Sequence, residues 1–308
     1  MMGAETGIAW TDHTFNIAWG CQKVSPGCTH CYAEGLSTRY GHGVWGPNKP
    51  RRTFGPKHWV EPIAWNRAAE RPEPPRTPAF MPGGIPPRMN AGARNECGGS
   101  VRRRGRVFCS SMCDIFEDHP TIERELGKLW PLIRATPSLD WQLLTKRAER
   151  IAECLPADWG GGYPNVWLGV SIETREYEWR VQLLRRVPAR VRFVSYEPAL
   201  GPIDGIDLTG IDWLIYGGES GAGFRPDDER WAEGIREQCR REGVAFFFKQ
   251  RAARFPGTGT MPVPSGAGLS QPLNHPLSGE GAEGTDGDKP REFPLSVIAE
   301  PVFSTGQG

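Results

Sequence analysis

Three cysteines near the N-terminus give the clearest indication of chemistry in this 308-residue chain. Cys21, Cys28 and Cys31 fall within eleven residues, in the run CQKVSPGCTHC. Pro26 and Gly27 favour a turn that brings Cys28 back towards Cys21. Three thiolates in one loop can hold a metal centre and leave one coordination position open for chemistry.

The residue types leave three interpretations of this loop. In the first, the thiolates hold a [4Fe-4S] cluster, and its fourth iron binds S-adenosylmethionine, which is then cleaved by electron transfer. In the second, they hold a structural zinc ion that takes a fourth ligand from elsewhere in the chain. The candidate fourth ligands are His13, His30, Cys97, Cys109 and Cys113. In the third, no metal binds. The sequence favours the cluster, because it has one C-x2-C pair whereas zinc sites usually have two.

Charge and targeting signals narrow the class of protein. The net charge is +1, so the whole molecule has no field that would attract polyanions. The N-terminus lacks the basic start and apolar segment of a signal peptide, and no stretch is apolar enough to span a bilayer. We therefore expect a cytoplasmic protein with no membrane partner, in which eight cysteines stay reduced and serve as metal ligands or buried thiols.

Nucleic acid would need a local basic patch. The candidate arginines are Arg51, Arg52, Arg102, Arg103, Arg104 and Arg106. Such runs are more often a solvated loop than a binding surface.

Short apolar runs alternate with helical patterns along most of the chain. The runs are RVFCSS, DWQLLTK, NVWLGVSIE, VRFVSYEP, IDWLIYGGE and VAFFFKQ, with FNIAWG as a seventh candidate before Cys21. Such runs are typical of strands buried on both faces. Helical spacing appears at 122–133, 177–187 and 231–239, and Gly243 is placed to end the last helix.

This alternation predicts an α/β fold, a partial (β/α) TIM-like barrel of six to seven parallel strands. We expect one barrel domain at 1–256, a Pro/Gly/Arg-rich insertion at 71–100 and a disordered C-terminal tail at 257–308.

Polar side chains follow the predicted strands, where active sites of such barrels lie. The predicted cofactor-binding residues at these strand ends are Ser110, Asp114, Lys146, Ser171, Glu173, Glu197, Glu219 and Lys249. The acids and hydroxyls are suited to amine, ribose or carboxylate contacts, and the lysines to carboxylate or phosphate. The two glycines before Glu219 either admit a ligand close to the backbone or form a tight turn. A metal-free hydrolase that uses Glu173, Glu197 or Glu219 as acid and base is the remaining alternative.

Several of these blocks together resemble a phage-associated three-Cys-motif family that is similar to radical SAM enzymes. The blocks are WTDHTFNIAWGCQKVSPGCTHCYAE, FCSSMCDIFED, WQLLTKR, NVWLGVSIE, RFVSYEPALGPID, DWLIYGGESGAGFRP and FFFKQ. The resemblance implies a cluster on Cys21, Cys28 and Cys31, His30 against the adenine of S-adenosylmethionine, and a dedicated protein partner. It supplies no substrate, although nucleic acid is one option.

The chain departs from the usual radical SAM pattern in two places. Six residues separate Cys21 from Cys28, where most such enzymes have three between the first two cysteines. The GGE run follows the sixth candidate strand and not the second, so its usual role in binding the methionine amine is not carried over to Glu219.

Overall fold

A computed structural model describes residues 6–71 and 104–259 of the chain. In this part of the chain seven parallel strands form one curled sheet, a half-barrel, in the order β1-β4-β5-β6-β7-β8-β9. The strands are β1 (His13–Thr14), β4 (Gly105–Cys109), β5 (Leu139–Thr145), β6 (Val166–Ile172), β7 (Val191–Tyr196), β8 (Trp213–Gly217) and β9 (Ala245–Gln250). A separate antiparallel pair contains β2 (Ala18–Trp19) and β3 (Arg52–Thr53).

Helices lie between the strands and follow from clear sequence signals. They are α1 (Tyr32–Arg39), α2 (Pro56–Trp59), α3 (Glu61–Ala69), α4 (Pro120–Arg134), α5 (Ile151–Cys154), α6 (Glu178–Arg185) and α7 (Glu229–Glu242). Helix α4 begins with proline in its first turn, and α7 begins after Asp228, whose side chain accepts a hydrogen bond from Arg230 N. Gly243 ends α7 at φ 71°, a left-handed conformation that favours glycine.

The two faces of the sheet bury different side chains. The outer face packs aliphatic strand residues against α4, α6 and α7, with Leu126, Leu184 and Ile235 fully or nearly fully buried there. The inner face carries a mainly aromatic cluster. Its buried members are Trp10, Phe108, Trp167, Val191, Phe193, Trp213, Ile215 and Phe247. Because strand side chains alternate, the strand ends above this cluster carry the polar residues of the inner face.

The structure confirms the predicted half-barrel, its six apolar strands and its helices α4, α6 and α7. The seventh candidate strand was placed wrongly. The main-sheet strand is His13–Thr14, and FNIAWG contributes only Ala18–Trp19 to the separate pair. The sequence misled because His13–Thr14 is a short polar edge strand, while the apolar side chains of FNIAWG are buried in loop structure.

Two predicted segments lie largely outside the described residues. These are the insertion at 71–100 and the tail at 257–308. Within the described ranges, no helix is both long enough and apolar enough to cross a membrane.

Candidate metal centre

The three cysteines lie on one loop, which we call the cysteine loop (residues 21–31). All three are free thiols and half-buried. One turn of 3-10 helix, Pro26–Cys28, brings the chain round, and Cys31 is the residue directly before helix α1. A helix N-terminus carries partial positive charge and so favours a thiolate at that position.

Glu117 makes the first attachment of this loop to the half-barrel. Its Oε1 accepts a hydrogen bond from Gln22 N at 2.8 Å. Arg51 donates to both oxygens of Glu117, each at 2.8 Å, and both side chains are almost fully buried. Arg147 donates to the Gln22 carbonyl at 2.8 Å. The chain next to Cys21 is therefore fixed through both its N–H and its C=O.

Glu173 makes the second attachment, at the end of β6. Its side chain is 0% exposed and accepts a hydrogen bond from Ser25 Oγ at 2.7 Å. Arg180 and Lys146 neutralise it at 3.0 and 2.7 Å. Gly27 lies so close that a Cβ atom there would be 2.5 Å from Glu173 Oε1. The loop can settle on this carboxylate only because position 27 has no side chain.

Glu219 makes the third attachment, after β8. It accepts from His30 Nδ1 at 3.1 Å and from Arg225 Nε at 2.9 Å. Arg225 also donates to the Pro26 carbonyl at 3.0 Å. Burial disfavours the charged carboxylate, but the hydrogen bonds from Arg225 and His30 outweigh it and lower the pKa of Glu219 to about 2.

These attachments are distributed along the loop, two between Cys21 and Cys28 and one between Cys28 and Cys31. Glu117 binds beside Cys21, Glu173 binds between Cys21 and Cys28, and Glu219 binds beside Cys31. Each glutamate is itself paired with at least one arginine. The cysteine loop is therefore held at three charge-compensated points on the polar end of the half-barrel.

Lys146, Glu197 and Lys249 form a more accessible group at the same end. Lys146 Nζ lies 2.7 Å from Glu173 and 3.3 Å from the Glu197 carbonyl oxygen. Lys249 forms an ion pair with the Glu197 carboxylate. The three side chains are 19%, 23% and 22% exposed, respectively. They are thus partly exposed, whereas the side chain of Glu173 is fully buried.

The other predicted site residues are buried among internal partners. Asp114 accepts a hydrogen bond from Thr145 Oγ1 at 2.6 Å and forms an ion pair with Arg147 at 3.0 Å. Ser110 Oγ accepts from Ile17 N at 3.3 Å. Ser171 is buried, and its carbonyl accepts from Arg180 at 2.8 Å. These groups fix the strand ends in place.

The environment of the thiols controls their charge. Burial, followed by the nearby Asp114 carboxylate, raises the pKa of Cys21 to about 12, although Arg147 acts in the opposite direction. Burial also raises the pKa of Cys31. At neutral pH these two side chains are thiols when no metal is bound, and a bound metal would have to displace their protons.

A single metal ion and a cluster make different demands on the donor set. Among the described residues, no three His, Cys, Asp or Glu side chains converge closely enough to hold a single ion. Of the proposed zinc ligands, His30 is bound to Glu219, His13 stacks on Trp65 at 4.5 Å and Cys97 lies outside the described ranges. A cluster makes a different demand, because each thiolate binds its own iron. Three soft sulfur donors on one loop fit that demand.

The glycines before Glu219 serve the packing of the protein itself. A Cβ at Gly217 would lie 3.0 Å from Glu197, and one at Gly218 would lie 2.1 Å from Ala252 N. Neighbouring strand ends therefore approach both positions too closely for a side chain.

Two arginines of the suggested basic patch have other roles. Arg51 is buried against Glu117, and Arg106 pairs with Asp12 at 3.1 Å. The expectation that Arg51 lies in a solvated run is wrong, because its side chain is buried against Glu117, and Arg106 neutralises a specific carboxylate. Arg102 and Arg103 lie outside the described residues.

Sequence reasoning missed most of the groups that hold the loop. They are Ser25, Glu117, Arg147, Arg180 and Arg225. The sequence positions of two of these residues could have indicated their role. Arg147 directly follows Lys146 after β5, and Glu117 lies in the connection after β4.

Comparison with known proteins gives one match. A family model described as protein of unknown function (DUF5131) matches residues 5–263. The matched stretch contains the cysteine loop and all the strands of the described half-barrel. No curated protein and no solved structure matches the chain.

Proposed function

We propose that this chain, which belongs to the family of proteins of unknown function DUF5131, is a radical S-adenosylmethionine enzyme. In this proposal Cys21, Cys28 and Cys31 bind a [4Fe-4S] cluster and leave one iron open. The observation that carries the proposal is the attachment of a three-thiol loop to the polar end of a half-barrel at three points.

A preorganised loop favours a cluster over three unrelated thiols. A flexible loop would have to lose conformational entropy when it bound metal, whereas the hydrogen bonds of Glu117, Glu173 and Glu219 already restrict it. Arg147 lies beside Cys21 and compensates for the charge that a thiolate would bring. When bound, the cluster would deliver one electron to S-adenosylmethionine and cleave a carbon–sulfur bond of its sulfonium.

The accessible groups at the barrel end are the candidates to bind the cofactor. Glu197 can accept hydrogen bonds from an amine or ribose hydroxyl, and Lys249 can donate to a carboxylate. Lys146 bridges these groups to the loop through Glu173. Asp114, Glu173 and Glu219 act by holding the protein in the binding geometry, since their side chains are buried against internal donors.

The substrate and the protein partner stay predictions. Arg51 and Arg106 no longer support a nucleic-acid substrate, because each forms an ion pair with a carboxylate of the same chain. The remaining candidates on the described chain are Arg52, which is exposed, and Arg104, whose partner is Asp140 at 2.7 Å.

Product analysis tests the proposed reaction. The full chain is purified and reconstituted anaerobically, and then incubated with dithionite and S-adenosylmethionine. We expect formation of 5′-deoxyadenosine, measured by chromatography and mass spectrometry. The Cys28→Ala variant should lose this product, whereas Cys154→Ala, which removes a half-buried thiol outside the loop, should keep it.

Two results would contradict the proposal. One is a colourless protein that carries a single tightly bound zinc ion and no iron. The other is iron-loaded protein that leaves S-adenosylmethionine intact under reducing conditions.

A further inference from the structure

Arg147 places its guanidinium group against the first cysteine of the loop. Its Nη1 lies 3.8 Å from Cys21 Sγ, within the range of a hydrogen bond to sulfur. Its Nη2 donates to the Gln22 carbonyl at 2.8 Å. The side chain is only 8% exposed, so water screens its charge weakly.

Two carboxylates fix this guanidinium from the other side. Asp114 Oδ2 lies 3.0 Å from Nη1, and Glu117 Oε1 lies 3.4 Å from Nη2. Glu117 is in turn held by Arg51. The arginine therefore cannot turn away from Cys21 without breaking several hydrogen bonds.

The other two cysteines lie next to uncharged groups. Cys28 Sγ lies 3.7 Å from the neutral hydroxyl of Ser25. Cys31 directly precedes helix α1, whose N-terminus carries partial positive charge. Among these described contacts, the charged donor is at Cys21.

We propose that Arg147 is a positioning residue that raises the reduction potential of the cluster bound through Cys21. This inference rests on the proposed function. A cluster that accepts one electron from an external low-potential donor becomes more negative by one charge, which is shared with its sulfur ligands. A buried cation that donates to Cys21 Sγ stabilises this reduced form more than the oxidised form.

The neighbouring carboxylate should have the opposite effect. Asp114 places negative charge beside the same guanidinium, so it disfavours the added electron. Arg147 and Asp114 thus form a buried pair whose two members shift the potential in opposite directions.

Redox titration of anaerobically reconstituted protein tests the inference. The reduced cluster is followed by electron paramagnetic resonance against mediator dyes, without S-adenosylmethionine. Arg147→Met should shift the midpoint to more negative potential. Arg147→Lys should shift it less, because lysine keeps the positive charge but lacks the planar guanidinium group. Asp114→Asn should shift the midpoint to more positive potential.

Arg150→Met is the matched control. Arg150 lies three residues further along the chain and pairs with Glu123 and Glu153 on the surface. Its variant should titrate like the wild type. The inference is overturned if Arg147→Met has the wild-type midpoint.

If Arg147→Met does not hold iron, the midpoints of the two milder variants, Arg147→Lys and Asp114→Asn, test the inference. Wild-type midpoints in both Arg147→Lys and Asp114→Asn then overturn the inference. A wild-type protein that takes up no cluster overturns the proposed function, and the inference with it.

Discussion

At the scale of single residues, buried ion pairs determine where the cysteines lie. Glu117, Glu173 and Glu219 each combine a bond to the cysteine loop with an arginine partner. Removing one member of a buried pair leaves an uncompensated charge and is costly. We therefore expect the loop to be sensitive to substitutions that leave the cysteines untouched.

Gly27→Ala tests the close contact between the loop and Glu173. A Cβ atom 2.5 Å from Glu173 Oε1 must displace either the loop or the buried carboxylate, at a cost of about 1–3 kcal/mol. We expect this variant to hold less iron per chain after reconstitution, as measured by a colorimetric iron assay.

Gly35→Ala is the control for this substitution. Gly35 lies in α1, directly after the loop, and a Cβ there would meet nothing within 4 Å. Alanine is the better helix former by roughly 0.5–1 kcal/mol, so this variant should be as stable as the wild type or more so. Full iron content in Gly27→Ala would show that the close contact is unimportant.

Glu219→Gln tests the third attachment through its dependence on pH. The folded protein holds the pKa of Glu219 at about 2, below its ordinary value of 4.5. The ionised side chain therefore contributes stability that is fully present above 4.5 and is lost as pH falls towards 2. Wild type should exceed Glu219→Gln in free energy of unfolding at pH 6, and the difference should shrink by pH 3.

Urea denaturation at the two pH values measures this difference. Glu176→Gln makes the same chemical change at an exposed position and should leave stability nearly unchanged. A difference between wild type and Glu219→Gln that is the same at pH 6 and pH 3 would contradict the role given to the carboxylate.

At the scale of strands and helices, most of the correct predictions of secondary structure came from apolar periodicity. Six strands and the helices α4, α6 and α7 were predictable because burial imposes a recognisable pattern on their sequences. Strand β1 was misplaced because a two-residue polar edge strand carries no such pattern. The loop attachments could not be predicted, because pairs such as Arg51 with Glu117 join residues far apart in sequence.

Gln142 on β5 is a polar exception within the aromatic inner face. It lies in register with Phe108 and Trp167, and its side chain is fully buried. Neither of its amide atoms has a hydrogen-bond partner among the described residues. Gln142→Met should therefore stabilise the protein by about 1 kcal/mol, since an unpaired buried amide is costly. Thermal unfolding followed by circular dichroism measures the change.

Gln238→Met is the matched substitution at a partnered amide. Gln238 on α7 donates to the Ile206 carbonyl at 2.6 Å and accepts from Gly205 N at 3.1 Å. Its loss leaves both backbone groups unsatisfied and should destabilise the protein by about 1–3 kcal/mol. If Gln142→Met destabilises the protein as much as Gln238→Met, the Gln142 amide is paired after all.

At the scale of the whole molecule, the half-barrel separates a mainly aromatic interior from a polar end. Aromatic side chains fill the inner face, and the cysteine loop is attached over the charged groups that follow the strands. The position of this loop relative to Lys146, Glu197 and Lys249 brings the cysteines and the proposed cofactor-binding groups to one end of the molecule. The proposed function requires an iron bound at the cysteine loop with a free coordination site.

Electron paramagnetic resonance of the dithionite-reduced protein, with and without S-adenosylmethionine, tests that claim most directly. If the proposed function is correct, the protein gives the signal of a reduced [4Fe-4S] cluster, and this signal changes when S-adenosylmethionine is added. The protein should also contain about four irons per chain. Loss of this signal in Cys21→Ala, Cys28→Ala and Cys31→Ala would assign it to the cysteine loop. A signal that survives these substitutions, or one that S-adenosylmethionine leaves unchanged, would contradict the account.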